Sequence, residues 1–130
     1  MIGPVPIGRP EVEAIHAEAI ARFGGMQGLR DAGLLDSALA QPFQSFAGID
    51  LYPGVTAKAA AYAWGIASNH PFADGNKRTA AAVMAAFLRV NGVPFRPDPG
   101  ELYDAMVWIA DGTWSRDDLT EWVEASVRRS

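Results

Sequence analysis

His70-Pro71-Phe72-Ala73-Asp74-Gly75-Asn76-Lys77-Arg78 sets a base, a carboxylate, an amide and two cations side by side, between two alanine-rich stretches of helical composition. The first of these carries no charge across residues 59–69. Pro71 cannot extend a preceding helix and biases His70 towards an extended conformation, which predicts a helix stop near Asn69 or His70. Gly75 permits a backbone turn that a larger residue would resist. A second apolar run starts at Thr79, so Gly75, Asn76, Lys77 and Arg78 fall over the amino end of the next helix. Unpaired N–H groups and the positive end of the helix dipole make an anion site there. Lys77 and Arg78 add two full charges to it. A carboxylate is a poor neighbour for a bare phosphate, and Asp74 becomes useful when a divalent cation sits between it and phosphate oxygens. The combination points to a Mg²⁺-bound phosphate ester beside an imidazole.

Outward from the motif, the helices follow from caps and periodicity. Thr56 can cap the helix before it, in which Ala57, Ala59, Ala60, Ala61, Ala63 and Ala67 allow close approach of neighbours while Tyr62, Trp64 and Ile66 supply bulk. After the motif, residues 80–90 interleave alanines with Val83, Met84, Phe87 and Leu88 and are apolar nearly all round, which predicts the central buried helix. Asn91-Gly92 is a left-handed stop. An extended Val93-Pro94-Phe95 leads to Asp98 and Pro99, which cap and start a fifth helix with Leu102, Met106 and Ile109 on one face, closed by Gly112. Ser115 with Asp118 resembles a capping box for a last helix bearing Leu119, Trp122, Val123 and Val127.

Towards the amino terminus, residues 1–9 contain two Pro and two Gly and read as an extended lead-in. Pro10 suits a first helical position; Val12, Ile15, Ala19 and Phe23, flanked by His16 and Ile20, then recur at helical spacing until Gly24-Gly25. Asp31 can cap a short helix carrying Leu34, Leu35 and Leu39 that Pro42 ends. Between Pro42 and Gly54 the chain is too rich in breakers for a helix and too aromatic for a linker, so an ordered loop or small hairpin is expected. The result is an all-α bundle of about six helices in a single domain, residues 1–130.

Composition narrows the chemistry. At 130 residues the chain can bury about 70% of the surface exposed when unfolded, enough to fold without staples. It has no Cys, which excludes zinc-thiolate sites and thiol nucleophiles. The amino-terminal sequence lacks a basic region followed by an apolar core, and no apolar run approaches the roughly 20 residues of a membrane span, so a cytoplasmic protein away from membranes is expected. A net charge of −4 and a pI near 5.0 leave no broad basic surface for a nucleic-acid backbone. Positive charge must be concentrated locally if a phosphate is bound, which favours a nucleotide pocket over a DNA groove.

Each motif residue has a plain use beside its chemical one. His70 can accept a hydroxyl proton near neutral pH, the role of a general base, or simply end a helix. Asp74 can ligate Mg²⁺ or cap the following helix. The amide of Asn76 can hold a phosphate oxygen, a loop carbonyl, or only a turn. Lys77 and Arg78 oppose the helix dipole, an unfavourable placement that implies an expected anion; Arg78 offers bidentate contacts and Lys77 a point charge, suited to a polyphosphate. Phe72 reads as the loop's anchor in the core, Pro71 shapes the turn, and Gly75 allows close backbone approach. His16 reads as a packed or capping histidine, and the Trp residues at 64, 108, 114 and 122 are scattered along the chain as packing residues.

The motif closely resembles the signature of the Fic/Doc family, His-Pro-Phe-x-Asp/Glu-Gly-Asn-x-Arg, with every specified position met. Fic members, which usually transfer AMP to a hydroxyl, generally have Gly where Lys77 stands and a second Arg where Ala81 stands. The Doc branch reads Asn-Lys-Arg, as here at Asn76, Lys77 and Arg78, although it carries Asn at the position of Ala82. The likeness extends to the His16 helix, the Arg22-Phe23-Gly24-Gly25 ending and the Phe87-Leu88-Arg89-Val90-Asn91-Gly92 ending, roughly residues 11–96.

That resemblance implies an all-helical fold and a Doc-like toxin that transfers the γ-phosphoryl group of ATP to a Ser or Thr hydroxyl of a host protein, expected to be elongation factor Tu, so arresting translation. It implies His70 as base, Asp74 as Mg²⁺ ligand, and Gly75, Asn76, Lys77 and Arg78 on the phosphates. AMP transfer with the same motif and a non-catalytic partner-binding role are the alternatives. In the family a flap near Phe46, Ile49, Asp50 and Leu51 lines up an extended target segment; a loop folded over the core is the plain reading of the same residues. Thr120-Glu121-Trp122-Val123-Glu124-Ala125 almost fits the inhibitory helix of some Fic proteins, but Ala125 breaks the pattern. Control by a separate Phd-like antitoxin, seated in a groove, is what the resemblance implies instead.

Overall fold

A computed structural model describes residues 3–130; Met1 and Ile2, part of the expected lead-in, lie outside the described residues. Six helices form: α1 (Arg9–Phe23), α2 (Ala32–Ala40), α3 (Val55–Asn69), α4 (Asn76–Val90), α5 (Pro99–Ala110) and α6 (Arg116–Arg129). A 3₁₀ turn (Gln41–Phe43) and a hairpin of β1 (Ser45–Phe46) and β2 (Ile49–Asp50) join α2 to α3. The fold is all-α, as expected. The hairpin pairs Ser45 with Asp50 and Phe46 with Ile49, and Ala47 and Gly48 both have positive φ at its tip, the backbone that a two-residue hairpin turn requires.

Most predicted caps form. Asp31 accepts from Leu34 N, Asp98 from Gly100 N and Glu101 N, and Ser115 and Asp118 complete a capping box. Thr56 is a correction: the cap is Gly54 and α3 starts at Val55, two residues earlier than a Thr56 cap would set it, and the Thr56 hydroxyl donates to Glu124 Oε1 of α6 at 3.3 Å. Val55 continues the helix because Gly54, at φ 89°, already breaks the preceding chain, leaving Thr56 free to join two helices.

Helix α3 is the most enclosed element and packs against α2, α4, α5 and α6. Its alanines at 59, 60, 61, 63 and 67 are fully buried, and Gly65 lets α2 come so close that a Cβ there would lie 3.0 Å from that of Ala38. Helix α4 doubles back along it, with the rings of Tyr62 and Phe87 5.0 Å apart. As expected, α4 is buried along Thr79, Ala80, Val83, Met84, Phe87 and Leu88. Its other side, at Arg78, Ala82 and Arg89, is exposed, so the central position belongs to α3 more than to α4.

Three of the tryptophans, read as scattered, meet in space. Trp108 and Trp114 lie 4.9 Å apart and Trp114 and Trp122 6.5 Å apart, with Phe95 edge-on to Trp122. The turn at Gly112 folds α6 back on α5, which brings these positions together. Among the described residues no helix is long and apolar enough to cross a membrane.

Candidate active site

The motif loop is a bridge from α3 to α4. Helix α3 ends at Asn69, as Pro71 demands, but His70 is left-handed at φ 51° and ψ 57° rather than extended. Two features outside the motif make this possible. The guanidinium of Arg30 donates from Nε to His70 O at 2.8 Å and from Nη2 to Asn69 O at 2.9 Å. The main-chain N–H groups of Arg30 and Asp31 donate to Pro71 O at 2.8 and 3.0 Å. Tertiary hydrogen bonds thus override the local preference of a residue that precedes proline.

Below that turn, Phe72 is buried, as its anchoring role requires. Its ring stacks on the His16 imidazole with centroids 3.9 Å apart, and His16 Nε2 bonds to Asp74 O at 2.8 Å. A carbonyl only accepts, so the ring proton on that side is on Nε2. His16 is therefore the packed histidine expected of it, and it also fixes the backbone at Asp74. The Asn76 side chain takes the loop-holding option: Oδ1 accepts from Phe72 N and Nδ2 donates to Phe72 O, both at 3.0 Å. Its backbone N–H stays at the uncapped start of α4 for a ligand.

Asp74 is exposed, with Oδ1 accepting from Gly75 N at 2.9 Å and Oδ2 from Met26 N at 3.2 Å. Asp74 is not the capping residue. That position falls to Gly75, at φ 73°, and no side chain caps α4. A Cβ on Gly75 would lie 2.9 Å from Ile20 Cδ1, and one on Gly25 would lie 2.8 Å from Asp74 Oδ2. The Gly24-Gly25 ending of α1 therefore makes room for the carboxylate as well as stopping a helix.

A cavity of about 180 Å³, lined by Asp74, Gly75, Asn76, Lys77, Arg78 and Tyr103 among others, opens before the amino end of α4. Lys77 and Arg78 have no carboxylate within ion-pairing distance among the described residues; the pairs there are Arg9 with Glu13 and Asp36, Arg22 with Glu18, and Lys58 with Asp50. Arg78 lies over the Phe23 ring, 4.1 Å from its centroid. An uncapped helix start with two unpaired cations is an electrostatic site for an anion. His70 does not line this cavity; it is exposed at the turn preceding Pro71.

No group of three His, Asp or Glu side chains among the described residues could cage a metal. Mg²⁺ does not need one, since it commonly binds through one or two carboxylates and substrate phosphates. A single exposed carboxylate, oriented by two amides at the edge of an anion site, fits such a phosphate-borne ion. The cavity continues past Lys77, Arg78 and Tyr103 into a groove of about 460 Å³ along the open side of α4, floored by Ala81, Ala85, Leu102 and Met106.

The model of the Fic/DOC family matches residues 6–88. The chain belongs to the Fic/DOC family. Toxin Doc of Mycolicibacterium smegmatis is 46% identical over 86 residues, 66% of this chain and 65% of that protein, just under two thirds of its length. Protein kinase doc of Escherichia phage P1 is 34% identical over 102 residues, 78% of this chain and 79% of that protein.

The residues expected to form a flap lie in the β1–β2 hairpin and, for Leu51, just after it. Phe46, Ile49 and Leu51 are exposed at 76%, 69% and 48%. Asp50 is exposed but turned towards Lys58: its Oδ2 accepts from the buried Lys58 Nζ at 2.6 Å, and its Oδ1 from Tyr52 N at 2.9 Å. Lys58 Nζ also donates to Tyr52 O at 2.7 Å, so a buried ammonium recruits the carboxylate to the hairpin base. Glu124, in the near-match to an inhibitory helix, bonds to Thr56 at the opposite end of α3 from the motif. Arg30 and Lys58 were not singled out by the sequence reading. The sole signal for Lys58 is that it is the one charge in the run from Val55 to Asn69; Arg30 offered none beyond adjacency to the Asp31 cap.

Proposed function

We propose that this protein is a Doc-type toxin that transfers the γ-phosphoryl group of ATP to a Ser or Thr hydroxyl of a host protein, with elongation factor Tu the expected acceptor. The observation that carries the reading is the uncapped start of α4, where Lys77 and Arg78 stand unpaired among the described residues beside the oriented carboxylate of Asp74. Asn76-Lys77-Arg78, together with Ala81 in place of a second Arg, favours phosphoryl over AMP transfer, and the likeness to protein kinase doc of phage P1 agrees with it.

In this reading the amides of Asn76, Lys77 and Arg78 and the two cationic side chains hold the phosphates. Asp74 would hold Mg²⁺, which supplies charge neutralisation at the phosphate oxygens. His70, exposed at the turn before Pro71, takes the acceptor's hydroxyl proton. The acceptor oxygen bonds to the γ phosphorus as the bond to the β–γ bridging oxygen breaks, and ADP leaves. Such transfer depends on alignment and charge stabilisation more than on covalent help from the enzyme. Phe46, Ile49 and Leu51 offer an apolar edge for an extended acceptor segment. The groove along α4, apolar in its floor with Lys77, Arg78 and Arg89 at its rim, suits an amphipathic acidic helix, as a separate Phd-like antitoxin would supply.

Incubation with elongation factor Tu and ATP labelled at either the α or the γ phosphate tests the reaction. Label from the γ position alone is expected, with loss of transfer in His70→Ala. Transfer of α label, adding the mass of AMP, would replace this reading with adenylylation.

A further inference from the structure

We infer that Arg30 is a positioning residue for His70, gripping three consecutive main-chain carbonyls around it; the role rests on the reading of His70 as the base. Nη2 of Arg30 holds Asn69 O, Nε holds His70 O, and the Arg30 main-chain N–H holds Pro71 O, at 2.9, 2.8 and 2.8 Å. The peptide planes on both sides of His70 Cα are thereby held by one residue, and with them the φ and ψ that aim the Cα–Cβ bond.

His70 needs such a grip. It is one of two non-glycine residues with positive φ among the described residues, and the following proline further restricts its backbone. Residues held in sparsely populated backbone regions persist only where their surroundings over-determine them, and they cluster at functional sites. The carbonyls of Asn69 and His70 lie at the end of α3, where helix geometry leaves acceptors without intrahelical donors. A guanidinium can satisfy two of them at once in a fixed fork, whereas an ammonium is a point charge without that geometry. Arg30 itself is exposed and is not among the residues that line the cavity; its bonds around His70 are to main-chain carbonyls, so it acts on His70 through the backbone.

A purely stabilising helix cap would make the same bonds, and the two roles part in the kinetics. Arg30→Lys keeps a cation at the end of α3 and is expected to retain the parent's melting temperature. Arg30→Ala is expected to melt lower and is assayed below its transition. With γ-labelled ATP and elongation factor Tu, both variants are expected to lose at least ~10-fold in kcat while KM for ATP stays within about twofold, because misplacement of a reacting group costs rate rather than nucleotide binding. A lysine or alanine variant as fast as the parent would overturn the inference.

An arm independent of activity reads the ¹³Cα and ¹³Cβ shifts and the HN–Hα coupling of His70 by NMR. Left-handed values are expected in the parent and a shift towards extended values in both variants; values unchanged in both would overturn the grip. If the parent transfers no label, the phosphoryl-transfer reading falls and the NMR shifts alone judge Arg30.

Discussion

Asn76 and Asn91 stand at opposite ends of α4 and make the same two-bond clamp on a main-chain residue outside that helix. Asn76 holds the N–H and C=O of Phe72, and Asn91 holds those of Val5 at 2.6 and 3.0 Å. Removing the first, in Asn76→Ala, leaves the part-buried polar groups of Phe72 unmatched and should cost ~1–3 kcal/mol of stability. Denaturant unfolding would measure that loss, and γ-label transfer should fall with it because the loop carries His70. Asp50 offers a pH test. The Lys58 ammonium, and then the Tyr52 N–H, hold its carboxyl below the ordinary value of 3.8. A depressed carboxyl contributes stability above its unfolded value and loses it as pH falls through the lower folded one. The amide resonances of Leu51 and Tyr52 should therefore move towards random-coil positions in strong acid, and at neutral pH in Lys58→Met. Resonances unmoved at the lowest pH at which the helices remain folded would rule the anchor out. The chemical types at both sites were legible in the sequence, but their orientations were not. A side chain such as that of Asn76 or Asp50 has several acceptable partners, and the fold selects among them.

Helix starts and stops were legible because they depend on a few neighbours: Asp31, Asp98 and Ser115 cap as expected, and Gly24, Gly92 and Gly112 end helices with positive φ. How helices face one another depends on more. Gly65 looks like a weak residue in a helix, yet it is where α2 crosses α3, with Ala38 Cβ and Cα only 3.0 and 3.2 Å from an added Cβ. Gly65→Val should force the pair apart and lower stability by ~1–3 kcal/mol through overpacking, read as a drop in denaturant midpoint. A gain in stability instead would mean that α2 can move aside at no cost. The open side of α4 has a similar origin. Its alanines are apolar by type and so read as buried, but burial needs a neighbour, and between α1 and α5 the chain leaves a groove beside Ala81 and Ala82.

At the scale of the whole molecule, one core draws on all six helices, from Val12 in α1 to Val123 in α6. Phe87 is fully buried at its centre, within 6.3 Å of the Phe43 ring and 5.0 Å of the Tyr62 ring. Phe87→Ala should cost ~3–5 kcal/mol, lowering the melting temperature with the hairpin and the helices lost in one transition; separate transitions would show that the 3₁₀ turn and hairpin are not part of that core. The α3–α4 pair is both the centre of this core and the mount of the motif, so the site inherits the stability of the fold. By itself the sequence determined the order and kind of the elements and the chemical groups assembled at residues 70–78, since caps, breakers and helical periodicity act between near neighbours. Tertiary structure alone decided that Arg30 holds the His70 turn, that Lys58 pairs with Asp50 and that one side of α4 stays open. Those outcomes depend on residues far apart in the chain, and which of several comparable hydrogen bonds forms is settled only once the helices have packed.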